Sequence, residues 1–238
     1  MLPNHRSNFR RARFTTVGMQ LHLDAALPAT VIRDGSNLVS QWNDKSGKVR
    51  NMSQGTSANQ PLFLPTGLGG LGAIQFDGSN DFMTFSDQSL SYIAGRSFTI
   101  ISVTSKPANN NSWIVGGTAT STRSNLYFGN LTSNTHRFGF YNDDQGSIVT
   151  VAPSGTTEIY TMVYNSSTNE RVVRRNGSEV SRAVSQGSLA GMTGQAIGRY
   201  LSSYSAFKMG EFIVYDRALQ FAEYNTVEKD LISKWSIV

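Results

Sequence analysis

Sixteen acidic residues and three histidines are the chain's stock of titratable catalysts, and their spacing assembles no reaction centre. Glycosidic cleavage needs two carboxylates a few ångströms apart, one as acid and one as nucleophile or base. Glu158 stands alone in its strand segment, Glu170 and Glu179 fall near hairpin ends, and Glu211 is a single acid before an aromatic run. Asp143 and Asp144 are adjacent; in an extended strand they would face opposite sides, and their surroundings read as a loop. His5, His22 and His136 are separated, with neither an HExxH nor a GxSxG spacing, so each reads as a hydrogen-bonded structural residue. Gly67 to Gly72 spells GxGxxG but precedes a strand instead of opening a helix, which excludes a dinucleotide loop and leaves a flexible one.

Two weaker chemistries remain. Asp77, Asn80 and Asp81, and separately Asp143 and Asp144, gather oxygens that calcium favours, but a calcium ion takes six to eight of them. The same residues are the usual formers of turns. No cofactor is therefore required, and Ca2+ is an optional ligand. Sugar binding asks for aromatic platforms beside polar groups, and Trp113, Tyr127, Tyr141, Tyr200 and Tyr204, in or near loops, are the candidates. Trp42 and Trp235 sit in segments that close the fold and read as core.

The elements that must hold these residues are short strands. Met19 to Asp24 alternates, with Met19, Leu21 and Leu23 expected on one face. Ala73 to Phe76 and Asp81 to Phe85, around the turn at Asp77 to Asn80, read as a hairpin. Ser97 to Ser105 is the densest strand, and Asn176-Gly177 between two strand runs is the best two-residue hairpin signal. The last 29 residues read as a strand (Glu211 to Tyr215), a turn at Asp216 and a helix over 219–235. Leu219, Ala222, Val227, Leu231 and Trp235 lie on one helical face. Glu211, Asp216 and Glu223 read as turn and cap residues, and the helix should cover a sheet. Roughly a dozen strands with evenly spaced turns predict an all-β, two-sheet antiparallel sandwich.

Composition supports one domain. Hydrophobic content of 39% suffices for a core, 16% charge excludes a disordered or coiled-coil chain, and zero cysteines exclude disulfides and Cys-based zinc. No segment has the length of a signal h-region or of a membrane helix. Arg6, Arg10, Arg11 and Arg13 precede the first acid, Asp24, and carry four of the net +5. Residues 1–17 thus form a basic arm, with Phe9 among its arginines, on a near-neutral domain over 18–238. Such an arm reads either as a solvated tail or as a segment that docks on an acidic protein surface. Nucleic acid is disfavoured, since no stacking pattern accompanies the arginines.

The order of motifs carries a resemblance. LHLDA (Leu21 to Ala25), WNDKSG (Trp42 to Gly47), IQFDGSNDF (Ile74 to Phe82), SFTIISV (Ser97 to Val103), RRNGSEV (Arg174 to Val180), AIGRY (Ala196 to Tyr200) and the closing GEFIVYDRAL…VEKDLISKW resemble the concanavalin A-like jelly roll of laminin-G-like and pentraxin-like lectins and glucanases. The resemblance covers about residues 18–238. Glycosidases of that superfamily carry E-x-D-x-x-E on one strand; no strand here does, so the resemblance implies a non-catalytic member. WNDKSG with a terminal helix ending in KW is similar to domains of bacteriophage and other virus structural proteins and of bacterial surface proteins. The implied function is a virion component, a capsid decoration or other surface protein of a phage. It would assemble in the host cytoplasm, bind capsid or other virion proteins through its arm, and form a homo-oligomer within the assembly. The alternative is a carbohydrate-binding lectin module with glycans as partners. A glycoside hydrolase or lyase acting through Glu158 or Glu211 comes last.

Overall fold

The structure, a computed structural model, describes residues 15–86, 90–105, 112–132, 135–145, 149–150, 153–184 and 187–238. Arg6, Phe9, Arg10, Arg11 and Arg13 of the arm lie outside the described residues, as do Ile148, Val151 and Ala152 of one expected strand. Two antiparallel sheets face each other. In the first, the order is Ser178–Val184, Glu170–Arg175, Thr157–Asn165, Phe98–Ser105, Ala206–Tyr215, Leu71–Asp77, Leu62–Leu68, with Met19–Asp24 also paired to the long Ala206–Tyr215 strand. The second runs Asp143–Asp144, Thr135–Phe140, Leu126–Thr132, Ser112–Gly116, Ala196–Ile197, Met83–Phe85, Met52–Ser53, Val39–Trp42, Val31–Arg33, and Val149–Thr150 joins Thr135–Phe140.

The helix Phe221–Lys234 lies on the outer face of the first sheet, which is called the helix-side sheet below; the second is the open sheet. Two cores result. Leu21, Leu23, Trp42, Phe98, Ile100, Phe128 and Phe212 belong to the core between the sheets. Ile101, Val103, Ile159, Ile213, Val227, Leu231 and Trp235 belong to the core under the helix. Each fully buried aliphatic side chain contributes about 1.5–3 kcal/mol. Phe98–Ser105 is buried at every residue because it serves both cores, which explains its unbroken apolar run.

The helix begins two residues later than the periodicity predicts. Gln220 and Glu223 form a reciprocal capping box there, and Arg217 donates to both Glu223 oxygens at 2.7 and 2.6 Å. Its buried face is Tyr224, Val227, Glu228 and Leu231, while Ala222 is exposed. Glu228 is buried because Arg174 meets it through two nitrogens at 2.9–3.2 Å.

Other local expectations change. A bulge between Met19 and Leu21 sends Met19 to the helix-side core while Leu21 and Leu23 enter the inter-sheet core. The expected hairpin around Asp77 is a crossing: Leu71–Asp77 belongs to the helix-side sheet and Met83–Phe85 to the open sheet. Alternation cannot separate the two, since both strands turn apolar residues into the same core. The Gly67 to Gly72 segment is a tight hairpin, with Leu68 paired to Leu71 and Gly69 and Gly70 at φ 53° and 78°. A side chain on Gly69 would come within 2.4 Å of the Trp235 carbonyl, so the turn is packed on the helix C-terminus and not loose. The Asn176-Gly177 hairpin forms as expected, at φ 46° and 82°, between paired Arg175 and Ser178.

Candidate functional site

The outer face of the open sheet gathers aromatic residues, and among the described residues no helix covers it. In Leu126–Thr132 and Thr135–Phe140, alternation sends Leu126, Phe128, Phe138 and Phe140 into the core and Tyr127, Arg137 and Gly139 to the opposite face. In Ser112–Gly116 a bulge opposite Phe128 and Gly129 leaves both Ile114 and Val115 in the core and turns Trp113 outward. The small hairpin Arg199–Tyr200 and Ser203–Tyr204 lies against this strand and brings Tyr200 over it. The Trp113, Tyr127 and Tyr200 rings meet with centroids 5.0, 5.2 and 4.8 Å apart.

Two glycines make the cluster possible. Gly139 is paired to Tyr127 on one side and to Asp144 on the other. A Cβ there would sit 2.8 Å from the Tyr127 hydroxyl and 2.7 Å from the Asp144 carboxylate, so only glycine lets the two hydrogen-bond across the middle strand. The Tyr127 hydroxyl donates to Asp144. A Cβ on Gly116 would meet Tyr200 at 2.6 Å. Arg137 donates to the other Asp144 oxygen at 2.8 Å and completes a neutral polar margin.

Trp113 and Tyr127 are 6% and 5% exposed, so they form a floor. Tyr200 and Tyr141 are half-buried and meet solvent. Burial, then the Asp144 charge and the nearby Tyr141, push the Tyr200 phenol up to about 12; burial and the bond to Asp144 push Tyr127 well above its ordinary value. Both phenols stay protonated at neutral pH. The surface therefore offers a ring for stacking, protonated hydroxyls, a carboxylate and a guanidinium.

Of the five aromatic candidates, Trp113, Tyr127 and Tyr200 come together and Tyr141 stands at the rim. Tyr204 points to the other side of the hairpin, where its ring is 6.1 Å from Phe82. Trp113 and Tyr127 lie within strands, not loops. Arg137, Gly116, Gly139 and Phe82 went unread in sequence; a glycine alternating with outward residues inside a strand was the available signal.

The oxygen-rich segments hold themselves. Asp77 accepts backbone N–H bonds from Ser79, Asn80 and Asp81 at 2.8, 3.2 and 3.3 Å. Burial raises its carboxyl and these bonds outweigh it, leaving it below its ordinary value. Asp81 is pushed up to about 6 by burial and the Asp77 charge. The Asn80 amide donates to the Ala58 carbonyl and to Asn59 Oδ1. Asp143 and Asp144 form a short strand instead of a loop, and they face opposite ways: Asp143 meets Arg171 at 3.3 Å and Asp144 meets Arg137.

The two acids of the hydrolase reading are on opposite faces of the helix-side sheet. Glu158 precedes Ile159 of the helix-side core and turns inward, where Tyr160 donates to it at 2.9 Å and Arg175 lies 3.7 Å away. Glu211 faces the helix and is 1% exposed. It accepts from Lys234 at 2.6 Å and from the Trp235 indole at 2.9 Å, and His22 Nε2 lies 2.6 Å from its other oxygen. Glu211 is thus the centre of a buried network and not a turn residue. His22, Asp24 and Glu211 offer three ligand atoms within 4.8 Å of one another, but Lys45 and Lys234 reach the same carboxylates at 2.6–2.9 Å and supply the positive charge a metal would bring.

Comparison with solved structures sets this sandwich among known folds. The binding domain of botulinum neurotoxin serotype G superposes with a TM-score of 0.66 at 13% identity, over 92% of this chain and 54% of that one. The binding domain of Paraclostridial Mosquitocidal Protein 1 gives 0.65 at 12% identity, over 90% and 52%. A mutant Trypanosoma rangeli sialidase with trans-sialidase activity gives 0.64 at 14%, over 94% of this chain and 34% of that one. The likeness at these identities is one of fold: a two-sheet antiparallel β-sandwich. The chain spans about half the length of the toxin binding domains it matches. No protein-family model matches the chain, and no curated protein is similar to it in sequence.

Proposed function

We propose that the chain is a non-catalytic carbohydrate-binding module whose glycan site is the outer face of the open sheet around Tyr200. The observation that carries this reading is the Trp113–Tyr127–Tyr200 cluster with its Asp144–Arg137 margin, held open by Gly116 and Gly139. Aromatic rings stack on the C–H face of a pyranose, and the polar margin reaches its hydroxyls. Fold neighbours add support. One is a botulinum neurotoxin binding domain in complex with SialylT, and another is described by dependence of cell entry on two ganglioside molecules.

A glycan array tests the reading. The full chain should bind a defined set of glycans equally with Ca2+ and with EDTA, because the Asp77–Asp81 and Asp143–Asp144 oxygens already have backbone or arginine partners. Binding to no glycan under either condition overturns it, and binding only with Ca2+ overturns the metal-free form.

The virion reading takes second place. It draws on the sequence resemblance and on the cationic arm, whereas the glycan reading draws on a formed surface.

A further inference from the structure

The hairpin that carries Tyr200 has a second face. Tyr200 and Arg199 are neighbours in a strand and point opposite ways, while Arg199 and Tyr204 are paired directly and share a side. On that side the Arg199 guanidinium lies 4.1 Å from the Phe82 ring centroid, and the Tyr204 ring flanks Phe82. Phe82, Arg199 and Tyr204 are all half-buried and so keep surface open to solvent.

The cations on the two faces differ. Arg137, beside Tyr200, is neutralised by Asp144 at 2.8 Å. Among the described residues no carboxylate lies within 4.0 Å of Arg199. Its Nε is buried without a hydrogen-bond partner, and one terminal nitrogen makes only a 3.5 Å bond to the Gly194 carbonyl. A planar guanidinium, stacked on an aromatic ring with donors unspent, matches the geometry of a carboxylate.

We infer that the Arg199–Phe82–Tyr204 face is an acidic subsite, so that the module takes glycans bearing a carboxylate, of the sialic-acid or uronic-acid class. This rests on the glycan reading of the open face. The carboxylate pairs with Arg199, and the ring that carries it packs against Phe82 and Tyr204. A neutral sugar would use the Tyr200 face alone.

The test is an array containing sialylated glycans with their desialylated counterparts, and glucuronate-terminated glycans with their glucose-terminated counterparts, followed by titration of the bound pairs. The acidic member should bind at least about tenfold tighter. Arg199→Gln should erase that difference and leave the neutral affinity unchanged, and Arg199→Lys should keep part of it, since the charge remains and the fork is lost. Tyr200→Ala should weaken both members. Equal affinity within every pair, or an Arg199→Gln variant with an intact acid preference, overturns the acidic subsite while the glycan reading stands. Absence of binding to any glycan overturns both.

Discussion

Glu211→Ala is expected to destabilise the fold by about 2–3 kcal/mol, a fall in Tm of roughly 4–12 °C for a domain of this size. The carboxylate is buried between the long strand and the helix, and its two oxygens serve His22, Lys234 and the Trp235 indole. Removing it leaves the Trp235 indole N–H buried without its acceptor and takes from Lys234 one of its two carboxylates, the other, Asp24, staying at 2.8 Å; the cost comes from the stranded buried donor more than from lost attraction. Glu211→Gln keeps the shape and one acceptor and should cost less. Urea melts of both variants decide the point; a change below about 1 kcal/mol for Glu211→Ala would show that the network does not dock the helix.

The same network has an acid dependence. Burial raises the Asp24 carboxyl, but Lys234 and Lys45 outweigh it and leave it below its ordinary 3.8. A depressed folded pKa means that stability is fully present above the unfolded value and drains away as pH falls below about 4.

How far the sequence reached depends on what kind of signal each feature leaves. Strand and turn chemistry is local, so the Asn176-Gly177 hairpin, the capping residue Glu223 and the buried Trp42 and Trp235 were all legible. Which sheet a strand joins is not local. Leu71–Asp77 and Met83–Phe85 are separated by a turn that suits a hairpin as well as a crossing, and only the pairing partners distinguish them. Glu211 illustrates a second limit. A lone acid before an aromatic run has no sequence mark of burial, because its partners come from positions 22, 234 and 235. The aromatic candidates were legible as residue types, whereas their division by the hairpin at Arg199–Tyr204 depended on which way each ring points.

Tyr200→Ala is expected to weaken glycan binding by roughly thirtyfold, about 2 kcal/mol, with little effect on folding. Tyr200 is the cluster's most solvent-accessible ring above a floor of Trp113 and Tyr127, so it makes the stacking contact while the floor fixes its position. Its loss also uncovers the floor, which keeps some residual binding. The hairpin is peripheral to both cores, so the melting transition should stay within about 1 kcal/mol of the parent. Isothermal titration of parent and variant with the best glycan from the array checks this, and an unchanged affinity would remove Tyr200 from the site.

The chain has three tryptophans, and the fold puts one in each of three places. Trp42 is in the inter-sheet core, Trp235 is under the helix, and Trp113 is in the floor of the outer face. Their indole N–H resonances in a 15N-labelled sample report these places separately during a glycan titration. The Trp113 resonance should move while those of Trp42 and Trp235 stay fixed. A glycan that binds and shifts Trp42 or Trp235 but leaves Trp113 unmoved would contradict the placement of the site on the open sheet.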